Sequence, residues 1–570
     1  MEEAGRAIAQ DTDSPTARPF GDPAWWGRWA VPVAVGLALA GGLSIRLLVA
    51  WQGLEELVVK LLQDDSFYYF LTAERITDGQ GISFDGITAS NGYHPLWLFF
   101  LVPFFLLPGR DLPIHAALSG AAVLDVVAGA LVALTVRKLT GNTPAALFAL
   151  IFYLFLPRNV LSGVNGLETS ATTPLVAALL LVVVSVWRAP RDDWMRWSVL
   201  TGALAGLTML ARLDSGVVVV CLLGLIALQQ RGARRWQAPG IALGVAAVVV
   251  APWFLWSLIA VGTWIPVSGE AGAWFSKEHY YASHPGISLS DEIRQGLDVT
   301  EFVFRERIPD LYYPRSWLSR AIAVGAGVLA LHFALVASPD LRRKAVGWLA
   351  FVAVPLAGFV ALLLVHTLYR WFFREWYFAW GMPILALLAA VLFAYLAEGV
   401  SELSAKLAPR WRAAAPYAVL VAVVLVLAAG YLGPAREAWR AGYLAPQRDF
   451  LEAGLYLKAH TEPDTRSASF AAGIVGYFSE RQVVNIDGVV NPKAYDALRD
   501  HRLVAYLRSE DVRFVAARDP AWVFIPAFIR PDDWSQSLWG EDPNAAMVPV
   551  AKIGPPFGVF GQMTVFRMLR

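Results

Sequence analysis

Two adjacent carboxylates followed by aromatics form the stretch with the most chemical potential: Asp64-Asp65-Ser66-Phe67-Tyr68-Tyr69, with Glu74 and Arg75 one to two turns later. Paired acids of this kind can supply a general base or bind a cation. They can also form a solvated acidic turn capping an amphipathic helix over 67–76, since carboxylates favour a helix N-terminus. Downstream, Asn91-Gly92-Tyr93-His94-Pro95-Leu96-Trp97 combines turn residues with a titratable His94. A third acid, Glu168, stands at a helix start, where it serves either the helix dipole or a site. Further on, 366–377 places Arg370 and Arg374 among aromatics that include Tyr377. Arginine forks suit bidentate phosphate binding, and aromatic faces suit sugars. The alternative for this segment is an interfacial aromatic belt with snorkelling arginines. Arg212 and Asp214 read as an ion pair at a helix end, and Lys277, His279 and 305–307 add charge to a long loop.

The elements that must position these groups follow from composition. The 570 residues are 57% hydrophobic and only 16% charged, with net charge +1 and a mean hydropathy of +0.50. That is too apolar for a soluble enzyme, a disordered tail or a coiled coil, and the charge balance offers no surface for nucleic acid. One cysteine, Cys221, excludes a disulfide framework and a cysteine-based zinc site. The 23 Trp and 18 Tyr suit many membrane-interface positions.

Eleven apolar runs read as membrane spans: 30–51, 115–136, 144–157, 169–187, 197–212, 216–228, 239–261, 318–337, 345–366, 376–397 and 413–432. A twelfth run, 95–108, reaches only about 21 Å at ~1.5 Å per residue and reads as an interfacial or re-entrant helix. Left out of the count, it puts every short basic loop (137–138, 188–196, 231–235, 342–344 and 406–412) on one side, as the positive-inside rule requires of the cytoplasm. The N-terminal tail 1–29 is then cytoplasmic, with no cleavable signal peptide. Segments 52–113, 158–168, 262–317 and 367–375 and the whole of 434–570 fall outside. Cations there run against the bias and ask for a reason. The long loop 262–317 has the length of a substrate lid.

Within the membrane part, Asp125 and His332 are polar groups at membrane depth. Without a second acid for a proton relay, Asp125 is expected to hydrogen-bond inside the bundle. No internal repeat of the transporter kind is evident. The region 434–570 reads as a small α/β domain: helices at 450–459 and 492–507, strands at 467–470, 482–486, 512–516 and 563–567. Its Gly473-Ile474-Val475-Gly476 run is an incomplete glycine pattern, not a nucleotide loop.

The order of these features resembles the GT-C fold glycosyltransferases, which use polyprenyl-phosphate-linked sugars at the outer membrane face. Shared are an Asp-acid-x-aromatic-aromatic motif (Asp64 to Tyr68), a His/Lys-Pro stretch before a short helix (His94-Pro95-Leu96), a span ending in a basic pair (Arg137-Lys138) and a second outer acid (Glu168). Protein O-mannosyltransferases and lipid A aminoarabinose transferases carry this pattern. The paired Asp64-Asp65, the stretch from Gly92 to Trp97, Gly476-Tyr477 and Ile486-Asp487-Gly488 are most similar to mycobacterial terminal arabinofuranosyltransferases. The chain departs from them at 91–94 and lacks the Trp-Trp-Asp motif of oligosaccharyltransferases.

The resemblance implies a polytopic α-helical membrane protein of about eleven spans, with a C-terminal extracytoplasmic α/β domain, in a bacterial inner membrane. It implies inverting transfer of a sugar, arabinofuranose or another monosaccharide, from a polyprenyl-phosphate donor to a glycan or glycolipid acceptor. Asp64 is then the general base, with Asp65 and Glu168 orienting the acceptor or binding a divalent cation (Mg, Mn or Ca). His94, Tyr93, Asn91, Arg75, Arg370, Arg374, Tyr377, Lys277 and His279 become candidate substrate contacts. A protein O-glycosyltransferase of the same fold and a lipid-linked glycan transporter are the alternatives.

Overall fold

The computed structural model describes residues 23–188, 193–302, 316–368, 376–442, 444, 447–519, 537–556 and 561–569. All eleven runs expected to span are helical. The membrane part comprises α1 (Pro23–Ala50), α2 (Leu54–Lys60), α3 (Asp64–Thr77), α4 (Pro95–Leu101), α5 (Asp111–Thr140), α6 (Thr143–Phe155), α7 (Pro157–Ser162), α8 (Thr169–Arg188) and α9 (Trp194–Ala211). It continues through α10 (Gly216–Gln229), α11 (Arg234–Ala260), α12 (Val267–Ser283), α13 (Leu289–Phe302), α14 (Ser316–Leu335), α15 (Pro339–Leu368), α16 (Trp376–Ala379), α17 (Met382–Leu407) and α18 (Ala415–Ala441). Among the described residues, seven helices are long and apolar enough to cross a membrane. The short run 95–106 is α4 followed by a 3-10 turn, Val102–Leu106.

Local chemistry explains the main boundaries. Asn142 caps α6 by accepting from the Ala145 amide, and Pro144 occupies the first turn. α5 stops where Gly141 takes φ 72°, a left-handed C-cap that favours glycine. The run 376–397 is not one helix. It breaks at Trp380-Gly381, and α17 restarts at Met382 with Pro383 in its first turn and runs ten residues past Ala397. Likewise α18 continues through Pro434 to Ala441, so the C-terminal domain begins later than residue 434.

That domain contains α19 (Arg448–His460), β1 (Arg466–Ser469), α20 (Ala472–Ser479), β2 (Gln482–Asn485), α21 (Pro492–Arg499), α22 (Leu503–Ser509), β3 (Phe514–Asp519), α23 (Pro543–Ala546), β4 (Met547–Ile553) and β5 (Gln562–Met568). The sheet runs β2-β1-β3-β5-β4; the first three strands are parallel, and β5 and β4 are antiparallel. Two features differ from the reading of the sequence. The helix expected over 492–507 is two helices, parted where His501 adopts φ 52°. The strand β4 escaped notice because Pro549 and a bulge near Ala551 blur its alternation.

The domain is not hung on a tether. One continuous apolar cluster joins Phe67, Phe70 and Trp97 of the membrane part to Ala472, Ile474 and Val475 of α20. Side chains of this size contribute ~1.5–3 kcal/mol each when fully buried. The α3 helix is therefore not amphipathic with a solvated face: Ser66 through Ala73 are all buried.

Candidate active site

α3 organises the site because its two faces meet different partners. Asp64 and Tyr68, one turn apart, face the C-terminal domain. The Asp64 carboxylate accepts from the amides of Gly473 (3.3 Å) and Ile474 (2.7 Å), at the start of α20. Its own amide donates to Gln447 Oε1 (3.0 Å), and Gln447 Nε2 donates to the carbonyls of Val58 and Leu62 (both 2.8 Å). The Tyr68 hydroxyl lies 3.2 Å from the Phe470 carbonyl and 3.4 Å from Asp487 Oδ2, and accepts from Asn485 Nδ2 (3.3 Å). Burial pushes the Asp64 carboxyl up to about 6, opposed by the Ile474 and Gly473 amides and by Tyr68. Burial pushes Asp487 up to about 8, with the charges of Asp65 and Asp64 adding to it.

Tyr69, on the next face of α3, meets the second acid. Its hydroxyl donates to Glu168 Oε2 (3.3 Å) and accepts the His94 amide (3.2 Å). His94 Nε2 lies 3.8 Å from Glu168 Oε1, and desolvation lowers the pKa of this imidazole. Arg212 bonds Glu168 through Nη1 and grips Asp214 in a fork, Nε to Oδ1 at 3.0 Å and Nη2 to Oδ2 at 2.8 Å. His366 Nε2 lies 3.3 Å from the same Asp214 oxygen, and the Arg212 guanidinium sits 5.1 Å from the Tyr377 ring centroid. One polar row, His94–Glu168–Arg212–Asp214–His366, with Glu168, Arg212 and His366 buried and its other two members half-buried, thus joins four separate segments. The charge of Asp65, half-buried, is felt by both Tyr68 and Tyr69, so it stands between the two faces.

The loop that presents Glu168 is clamped. Ser66 donates to the Asn165 carbonyl (2.8 Å), Trp97 Nε1 to the Gly166 carbonyl (3.0 Å), and Ser170 to the Gly163 carbonyl (3.1 Å). Gly166 adopts φ 76° against Phe70 and Ser66, and Gly163 rests on the Asp125 carboxylate. Asp125 does bond inside the bundle, as expected: Arg46 Nη2 lies 2.6 Å away and the Tyr153 hydroxyl donates at 2.7 Å. The ionic partner was missed, although an arginine inside the run 30–51 was a legible signal. His332 pairs with the Tyr395 hydroxyl (2.7 Å).

The other sequence candidates divide. Asn91 is buried and satisfied by backbone: it donates to the Thr263 and Ile265 carbonyls and accepts from the Val267 amide. Tyr93 is buried and accepts from Thr72 (2.7 Å). Arg75 lies in the last turn of α3, eleven residues from Asp64 and so ~16 Å along the axis. Lys277 is half-buried on α12, which packs on the C-terminal domain through Phe275. Arg370 and Arg374 lie outside the described residues, as does the side chain of His279. Of the suggested metal ligands, Glu168 is paired with Arg212, which it shares with Asp214, and the described residues hold no group of three or more His, Cys, Asp or Glu suited to a metal. Reading the sequence gave no site role to Gln447, Asp487 or His366, whose partners lie far away along the chain.

Residues 93–256, which include His94, Glu168, Arg212 and Asp214, match the family model for dolichyl-phosphate-mannose-protein mannosyltransferase. Residues 438–555 match a domain of unknown function (DUF8728). No curated protein sequence matches the chain. Among solved structures, the chain is similar to ArnT from Cupriavidus metallidurans bound to undecaprenyl phosphate: TM-score 0.54 and 13% identity, over 93% of this chain and 97% of that one. The apo oligosaccharyltransferase of Archaeoglobus fulgidus is also similar: TM-score 0.51 and 12% identity, over 95% and 75% of the two chains. At these identities the likeness is one of fold. The chain is thus a multi-pass helical membrane protein of GT-C fold with a C-terminal sheet domain, and the matches agree with the glycosyltransferase class expected from its motifs.

Proposed function

We propose that the protein transfers a monosaccharide from a polyprenyl-phosphate donor to a glycan hydroxyl at the extracytoplasmic face of a bacterial inner membrane, with inversion. The observation that carries this reading is the convergence on α3, with its own Asp64 and Asp65, of acids and polar groups from three other segments: His94, Glu168 and Asp487. Asp64 takes the acceptor proton. Its carboxyl, near 6, is ionised at neutral pH yet basic enough to be useful, and two amides and Gln447 hold its orientation. The acceptor oxygen then attacks the anomeric carbon, and the bond to polyprenyl phosphate breaks with its electrons on the phosphate. Arg370 and Arg374 are the proposed cations for that leaving charge. Asp65, Glu168 and His94 orient the acceptor. Arabinofuranose is the favoured sugar on the motif resemblance, with another monosaccharide the alternative.

The chain's relatives in fold leave a protein acceptor as the second reading, since the partial family match is to a protein mannosyltransferase model. The test is a transfer assay in membranes across polyprenyl-phosphate sugars, offered glycan and peptide acceptors, with and without a chelator. Inverted product from one donor supports the reading. Binding of donors without transfer to any acceptor would overturn it.

A further inference from the structure

α13 is built inside-out for a helix surrounded by water. Leu289, Ile293 and Leu297, at i, i+4 and i+8, form one stripe and are 72%, 48% and 51% exposed. The side turned to the protein is small and polar: Gly296 is buried, and Glu292 and Gln295 are half-buried. A surface helix in water places its apolar stripe against the core and its polar residues outside. The reverse arrangement marks a helix whose surroundings are themselves apolar.

Two contacts locate those surroundings. α13 packs on α15, which is long and apolar enough to cross the membrane and carries exposed apolar residues of its own, such as Val346 and Val365. α13 therefore lies beside a helix whose exposed apolar side chains would face acyl chains. Tyr281 of α12 donates to Glu292 (2.8 Å), and α12 is fastened to the C-terminal domain, with Phe275 in its core and Trp274 against Tyr495. That link sets α13 on the domain's side of the bilayer. Arg294 and Asp298, exposed on the opposite flank, suit the headgroup layer.

We infer that α13 lies along the membrane surface on the side of the C-terminal domain, its Leu289–Ile293–Leu297 stripe sunk among phospholipid acyl chains. Segment 263–302 then acts as a strap, one helix held by the domain and the other by lipid. The inference does not depend on the transfer reaction. A cysteine-free background is one substitution away, Cys221→Ser. In it, Ile293→Cys, Leu297→Cys, Arg294→Cys and Asp298→Cys would each carry a nitroxide label on the full chain in phosphatidylcholine–phosphatidylglycerol vesicles. Collision with oxygen and with a water-soluble nickel chelate is then compared. Labels at 293 and 297 should show an oxygen-to-nickel ratio severalfold above those at 294 and 298. Equal ratios at all four positions, or nickel access at 293 and 297 as high as at 298, would overturn the inference. Leu289→Cys repeats the test should either stripe variant fold poorly.

Discussion

The Asp64 carboxylate receives the amide of Ile474 at 2.7 Å, across 410 residues of sequence. A residue expected either to act as a base or to cap its own helix is thereby joined to the first turn of a helix in another domain. The amides at that turn have no partner inside their own helix. Asp64 supplies one while they aim its carboxylate. The C-terminal domain is consequently part of the site, not an appendage to it.

Asp64→Asn should lower transfer by roughly 10²–10⁴-fold, the usual contribution of a positioned base. Gln447→Ala, which removes the side chain holding the first amide of α3, should cut the rate by a smaller factor and leave the donor KM unchanged. Steady-state kinetics in membranes measure both. Near-normal turnover in Asp64→Asn would return Asp64 to a purely architectural role.

A methyl group at Gly473 would fall on the Asp64 carbonyl oxygen, which is backbone and cannot move aside. Gly473→Ala should therefore loosen the domain from α3. Limited proteolysis between 441 and 466 should quicken markedly, while Gly476→Ala, which meets the movable Leu71 side chain, should change the pattern little.

Stability should fall as pH rises from about 4 to about 8. Asp487 keeps its proton up to about 8 in the folded protein but releases it near 3.8 when exposed. Within that window the folded state binds more protons than the unfolded one, so stability is full below it and is lost on passing through it. Asp64, raised to about 6, acts in the same direction. The melting temperature of Asp487→Asn should vary less between pH 5 and 8 than that of the parent. An equal slope in both proteins would show that Asp487 is not the group responsible.

Arg46→Leu should destabilise the detergent-solubilised protein by ~3–5 kcal/mol, because it takes from the buried Asp125 its cationic partner beside Tyr153. The double variant Arg46→Leu with Asp125→Leu should recover much of that loss. Thermal unfolding of the single and double variants gives the comparison. A double variant no better than the single would mean that the pair itself, and not charge balance, secures the loop that rests on Asp125.

The membrane part was largely legible because it obeys one strong rule. A span must be apolar over its length and hydrogen-bonded within itself, so composition alone reveals the helices and their loops. The acids Asp64, Asp65 and Glu168 stood out for the same reason: few charges survive in such a chain, and those few are conspicuous. Local patterns also gave most strands of the C-terminal domain.

What each acid touches was another matter. Adjacent residues on a helix point about 100° apart, so Asp64 turns toward Gly473 and Ile474 while Tyr69, on a neighbouring face, meets Glu168. No spacing rule links residue 64 to 447 or 474, or 168 to 212. Asn91 and Tyr93 looked available to substrate until Thr263, Ile265, Val267 and Thr72 claimed their polar atoms. The sequence by itself determined that the protein lives in a membrane and which few charges stand out as candidates. Only the tertiary structure decided their partners, because contacts between separate segments are set by how helices pack and not by any local pattern.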